Sequence, residues 1–146
     1  MSTRGRYGLR AMVELAIRHG DAPARLKDIA QCQDIPLAYL RELMTSLAAA
    51  GLVRPIRGPR GGYLLTRPPS EISVLDVVEP LEGPPALVDC TDDPALCDRS
   101  ASCAARGFWS GLASTLRESF ETTKLAQLAA NELSSRADQG SAPPQP

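Results

Sequence analysis

Leu37-Ala38-Tyr39-Leu40-Arg41-Glu42-Leu43-Met44-Thr45-Ser46-Leu47 is followed, past Gly51, by Leu52-Val53-Arg54-Pro55-Ile56-Arg57 and then Gly58-Pro59-Arg60-Gly61-Gly62-Tyr63-Leu64-Leu65-Thr66. In the first run Leu37, Leu40, Leu43, Met44 and Leu47 recur at the steps that line one face of a helix, with Pro36 suited to its first position. The second and third runs are short extended segments around a Gly/Pro cluster, the pattern of a β-hairpin. Pro55 has no backbone N–H and so belongs on an edge or irregular strand. Two short helices, a tight turn at Asp34-Ile35-Pro36 and an immediate hairpin predict a mainly α chain with a winged helix-turn-helix domain.

Working toward the N-terminus, Leu26, Ile29 and Ala30 form the inner side of the first helix of that pair. Leu9, Met12, Val13, Ala16 and Ile17 form the stripe of an earlier helix, expected from about Arg4 to His19. Toward the C-terminus, Ser73 and Asp76 make a capping box with Asp in the place of Glu, opening a helix that turns Val74, Leu75 and Val78 inward. Gly83-Pro84-Pro85 ends it. Ala86 to Arg106 shows no helical or strand period. From Gly107 a longer helix presents Phe108, Trp109, Leu112, Leu116 and Phe120, and a last short helix covers Lys124 to Leu133. The expected divisions are a DNA-binding domain over 1–82, a cysteine-bearing loop over 83–106, a dimerisation helix and short C-terminal helix over 107–133, and a disordered tail over 134–146.

The net charge of −1 hides an uneven distribution. Residues 1–67 hold 11 Lys/Arg against 5 Asp/Glu, whereas residues 68–146 hold 5 against 12. A basic module of this kind suits a polyanion. The apolar stripe of the second helix leaves Ala38, Tyr39, Arg41 and Glu42 near its exposed start, the end that enters a major groove, and Pro36, Ala38, Tyr39 and Arg41 are the candidates for DNA contact there. Arg41 suits a bidentate contact to guanine, a phosphate or a neighbouring carboxylate, and Tyr39 suits packing, a phosphate or a base. Arg57 and Arg60 in the hairpin turn suit phosphate or minor-groove contact. No run approaches the roughly 20 apolar residues of a membrane span, and Met1 to Arg10 lack the apolar stretch of a signal peptide. The expectation is a cytoplasmic protein whose partner is double-stranded DNA, with no membrane role. No nucleophile–base pairing is visible, and the lone His19 sits at a helix end, so the reading is not an enzyme.

Cys90 and Cys97 are separated by six residues, Cys97 and Cys103 by five. Thiolates on one irregular loop favour zinc, copper(I) or an iron–sulfur cluster, and the spacing is not the two-residue knuckle of a zinc ribbon. From the residues alone, a metal or redox site stands beside incidental thiols. Asp89, Asp92, Asp93 and Asp98 read as solvated turn residues or as an oxygen ligand. Cys32, distant in sequence, reads as a packed or surface residue.

The run Gly5-Arg6-Tyr7-Gly8-Leu9-Arg10-Ala11, with Leu26-Lys27-Asp28-Ile29-Ala30, Tyr39-Leu40, Gly51-Leu52-Val53 and Arg57 to Leu65, resembles the Rrf-two family of bacterial transcription regulators. The similarity spans roughly residues 4–130 and includes the three-cysteine loop and Trp109. It implies a homodimer built through the long helix, with Trp109, Leu112, Leu116 and Phe120 in the interface, binding a palindromic operator. It also implies a two-iron or four-iron cluster on Cys90, Cys97 and Cys103, whose loss or oxidation alters DNA affinity and reports iron, oxidative stress or nitric oxide. Members of the IscR type carry a histidine where this chain has Arg106, and members of the NsrR type an aspartate where it has Arg6. Glu14, a loop aspartate, an exogenous thiol or water are then the candidates for a fourth ligand. The recognition helix differs too: Pro36, Ala38 and Arg41 stand where IscR-type members have serine, serine and glutamate, so a different operator is expected. Two rival readings accompany this one. The same fold can sense through thiols or a partner protein without a cluster, or the chain can be an iron–sulfur accessory protein that does not bind DNA.

Overall fold

The structure is a computed structural model that describes residues 1–140. Helix α1, Thr3–Ile17, runs through the middle of the molecule and packs on α2 (Leu26–Gln33), α3 (Leu37–Ala49), α4 (Val74–Glu82) and α7 (Leu125–Gly140). Its predicted stripe is inward, with Met12 and Ala11 sealed from solvent. Gly5 and Gly8 lie where α1 meets α4: a Cβ on Gly5 would strike the Glu82 carboxylate, and one on Gly8 the Leu81 side chain. The Glu82 carboxylate accepts from the Gly5 N–H at 3.0 Å and from Ser2 N–H and hydroxyl at 2.6 Å, tying the start of the chain to the end of α4.

The helix-turn-helix pair forms as expected. Asp34 takes up the left-handed conformation at φ 49°, and the Ile35 N–H reaches back to the Ala30 carbonyl at 2.9 Å. Pro36 stands just outside α3 as its N-cap and Leu37 is the first helical residue. Leu40, Leu43, Met44 and Leu47 are completely buried.

The wing is β1 (Val53–Ile56) antiparallel to β2 (Gly62–Leu65), with Val53 opposite Leu65 and Pro55 opposite Tyr63. Ala24, in the link before α2, adds a one-residue bridge on the other side of β2 through paired hydrogen bonds with Tyr63 of 2.9 and 3.0 Å. This explains the proline. In an antiparallel ladder a residue directs both backbone groups to the same neighbour. Tyr63 directs its groups to Ala24, so Pro55 faces it from the side where no N–H is needed. Gly62 lets the two segments approach, since a Cβ there would meet the Ala24 carbonyl.

Both halves of the predicted capping box are present at α4: Asp76 N–H to Ser73 hydroxyl at 3.1 Å and Ser73 N–H to Asp76 carboxylate at 2.9 Å. Beyond α4 the chain differs from expectation in three ways. The cysteine segment is not wholly irregular, because α5 (Asp89–Asp92) makes a single turn and Pro94–Leu96 a 3-10 turn. The long helix α6 spans Ala104–Thr122, beginning inside the segment expected to be loop. Helix α7 continues to Gly140, so residues 134–140, expected in a disordered tail, are helical, while 141–146 lie outside the described residues. The Ser/Arg/Asp composition of that last stretch hid its helicity, and its anchors are tertiary. Leu125 is fully buried, its N–H bonds the Ile72 carbonyl at 2.9 Å, and Arg136 pairs with a buried carboxylate of α1.

Candidate functional site

Two regions carry chemistry. The first is the basic face made by α3 and the wing. Pro36, Ala38 and Arg41 are exposed at the start of α3, and no side chain caps the first turn of that helix. Arg57 and Arg60 are exposed in the wing turn, which is closed by the Gly61 N–H on the Gly58 carbonyl at 3.0 Å, with Gly58 at φ 104°. Tyr39 is placed differently from its neighbours. Its ring is half-buried and meets Tyr7 of α1 edge-on at 5.9 Å, the packing alternative among those open to it.

Two contacts of this face were not visible in the sequence. Arg4 at the start of α1 donates to the Ser46 hydroxyl of α3 at 2.7 Å. Arg25, the N-cap of α2, donates to the Pro59 carbonyl at the wing tip at 3.3 Å and so holds the wing against the helix pair. Both join residues more than thirty positions apart, which no local period reports. The basic composition of residues 1–67 was the available signal.

The second region is the cysteine loop between α4 and α6. Cys90 lies in α5, Cys97 follows the 3-10 turn, and Cys103 is the N-cap of α6; none of the three is in a disulfide, and all are half-exposed. Among the described residues no three His, Cys, Asp or Glu side chains are gathered as metal ligands. Arg106, at the position of the IscR-type histidine, donates its Nε to the Cys90 carbonyl at 2.9 Å and so fastens α6 to the first cysteine of the loop. Glu14 is no free ligand. It is 1% exposed inside the core, where Arg18, Arg136 and Gln33 occupy its two oxygens. Burial alone pushes this carboxyl up, yet the hydrogen bonds from Arg136, Arg18 and Gln33 outweigh it and hold it below the ordinary value. Cys32 is exposed on α2, with the Arg18 guanidinium 3.3 Å from its sulfur. His19 is exposed beyond the end of α1.

The loop leads into α6, which buries none of its 19 residues. The four residues expected at a dimer interface share one face of it but differ in exposure along its length. Trp109 and Leu112 are open to solvent, at 37% and 43%, beside Phe108 at 64%. Leu116 and Phe120 are half-buried and line a cleft with Val78 of α4 and Leu87. No helix among the described residues is long and apolar enough to cross a membrane.

Comparison with known proteins agrees with this arrangement. The family model described as Rrf2, iron-dependent transcriptional regulator, matches residues 1–131. The HTH-type transcriptional regulator CymR of Bacillus subtilis is 40% identical over 129 residues, covering 88% of each chain. The solved structure of CymR, described as the global cysteine regulator of B. subtilis, superposes with a TM-score of 0.77 at 39% identity, covering 90% of this chain and 96% of that one. The structure of T. potens IscR superposes with a TM-score of 0.72 at 30% identity, covering 99% and 93%. A winged helix-turn-helix fold, a basic reading face and a match over nearly the whole chain lead to one conclusion: the chain belongs to the Rrf2 family of transcriptional regulators, DNA-binding proteins rather than enzymes.

Proposed function

We propose that the chain is a cytoplasmic homodimeric repressor that reads a palindromic operator, and that its sensor is an iron–sulfur cluster held by Cys90, Cys97 and Cys103. The observation that carries the sensor is the placement of three unbridged, half-exposed cysteines on one loop that leads into the first turn of an unburied helix. In kind the donors fit such a group: three soft sulfur ligands carried on one loop. When bound, the group supplies a centre that oxidants, nitric oxide or iron shortage alter. The protein's own part is to present the thiols on a loop fastened by Arg106, and to present Arg41, Arg57 and Arg60 to DNA. A second copy docked on the open face of α6 gives two reading heads, which suit half-sites about 34 Å apart or multiples of that.

Protein purified anaerobically should contain iron and sulfide and absorb visible light, and Cys90→Ala should lose both. A colourless, iron-free anaerobic preparation overturns the cluster.

A second reading is favoured by specific observations. The three thiols are not gathered, Arg106 and Arg6 stand where related proteins have ligands, and one similar protein is described as a cysteine regulator. The loop then acts through its thiols, two of which lose two protons and two electrons to an oxidant and join as a disulfide. A defined disulfide by mass spectrometry, in protein that never held iron, selects this reading.

A further inference from the structure

Glu14 collects donors from three helices. Its carboxylate accepts from Arg18, the C-cap of α1, at 2.7 Å, from Gln33 of α2 at 3.0 Å and from Arg136 of α7 at 2.6 Å. Gln33 also donates to Glu132 of α7 at 3.1 Å, and Arg136 reaches the same Glu132 oxygen at 2.6 Å. Gln33 is the last residue of α2, immediately before the left-handed Asp34. Arg10 completes the arrangement: it donates to the Gln33 side chain at 3.3 Å and to the Gln33 carbonyl. The Arg10 guanidinium also lies 5.5 Å over the ring of Tyr7, whose edge meets Tyr39 of α3.

The turn between the two helices of the DNA-reading pair is thus held from outside the pair, by α1 and by α7. Stability is a weak reason for such a network, because burying charges costs desolvation that an apolar core of the same shape avoids. Directional hydrogen bonds fix an angle in a way that apolar contact does not. We propose that Gln33 and Arg10 are positioning residues, and that Arg136 and Glu14 transmit the placement of α7 to the turn before α3, so that the C-terminal helix sets the angle at which α3 meets DNA. This rests on α3 being the DNA-reading helix. Helix α7 follows α6 after two residues, and the joint is fixed to the start of α4 by the Val74 N–H on the Thr123 carbonyl at 2.9 Å, so the placement of α7 is set by the core on one side and by Arg136 on the other.

Two variants separate positioning from mere support. Arg136→Met and Arg18→Met each take one guanidinium from Glu14, but only Arg136 belongs to α7. Affinity is measured for an operator duplex selected on the wild-type chain from a random pool, with amide hydrogen exchange and thermal unfolding in parallel. Arg136→Met should weaken operator binding by about three- to tenfold and speed exchange at Asp34 to Arg41, with exchange in α4 unchanged. Arg18→Met should lower the unfolding temperature while leaving affinity within about twofold. The proposal is overturned if the two variants lose affinity in proportion to stability, or if Arg136→Met leaves both affinity and exchange at 34–41 at wild-type values. Arg41→Ala is the control on the underlying reading. Unchanged operator binding in that variant removes α3 as the reading helix, and the proposal with it, by a result distinct from the failure of the Arg136 route.

Discussion

Helices α3 and α6 make an instructive pair. The first has 13 residues and the second 19, and both carry an apolar stripe, yet α3 has four fully buried side chains and α6 has no buried one. Helix α3 finds its partners within the chain, among α1, α2, α4 and β1. Helix α6 leans on α4 and on the turn of α5, and leaves Phe108, Trp109 and Leu112 in water. Three large apolar side chains exposed within five residues of one helix suit an interaction surface better than a monomer's exterior. The core of the first 82 residues is closed by Leu125 and Ala129 of α7, whereas α6 leaves apolar side chains open to solvent.

The comparison breaks most strongly at Leu40. Truncating this fully buried side chain by Leu40→Ala should cost about 2–5 kcal/mol in urea unfolding and take operator binding with it. A cost below about 1 kcal/mol would mean that α3 is not the core element described here. Leu112→Glu should do the reverse. Unfolding of the N-terminal domain should change by less than about 0.5 kcal/mol, while sedimentation moves from dimer to monomer and operator affinity falls by about 100-fold as the two heads lose their tether. A dimer that persists would place the interface on another face.

Glu14→Gln tests the charge that lies inside the core beside all this apolar packing. It should cost about 1–2 kcal/mol at neutral pH, because Arg18 loses its anionic partner and Arg136 keeps only Glu132. The pH dependence follows from the sign of the shift. The folded carboxyl is held below its ordinary value of 4.5, so its contribution is complete well above that value and is lost as pH falls through the folded one. Wild-type protein should lose stability below about pH 4.5 more steeply than Glu14→Gln in parallel denaturation series. The smallest effect belongs to the wing. Arg57→Ala should weaken DNA binding evenly across sequences and reduce the slope of log affinity against log salt by about 0.9, with unfolding unchanged.

Much of this architecture was legible in order along the chain. The stripes of α1, α2 and α3, the Asp34 turn, the hairpin and the Ser73–Asp76 cap are patterns within a few residues, and each formed where it was expected. Even the place of Pro55 was legible, although its reason, the Ala24 bridge to Tyr63, was not. The errors collect beyond residue 83, where proline, cysteine and serine erase the period and the helices are set by what they touch. Of the candidate sites, the exposed arginines of α3 and the wing stand at the basic face, whereas the roles of Tyr39 and Glu14 came only from their neighbours.

What the sequence determined by itself is the order of elements and the residue types offered for chemistry, because periodicity, caps and turns act over three to five residues. What only the tertiary structure decided is how those offers are used. Glu14 became a junction because Arg136 lies beside it, 122 residues away in the chain. Tyr39 packs against the Tyr7 ring of α1, and α7 ran on to Gly140 with Leu125 and Arg136 anchoring it to the core. Such pairings depend on where whole helices come to rest, and that is settled by packing over the entire core rather than by any local run of residues.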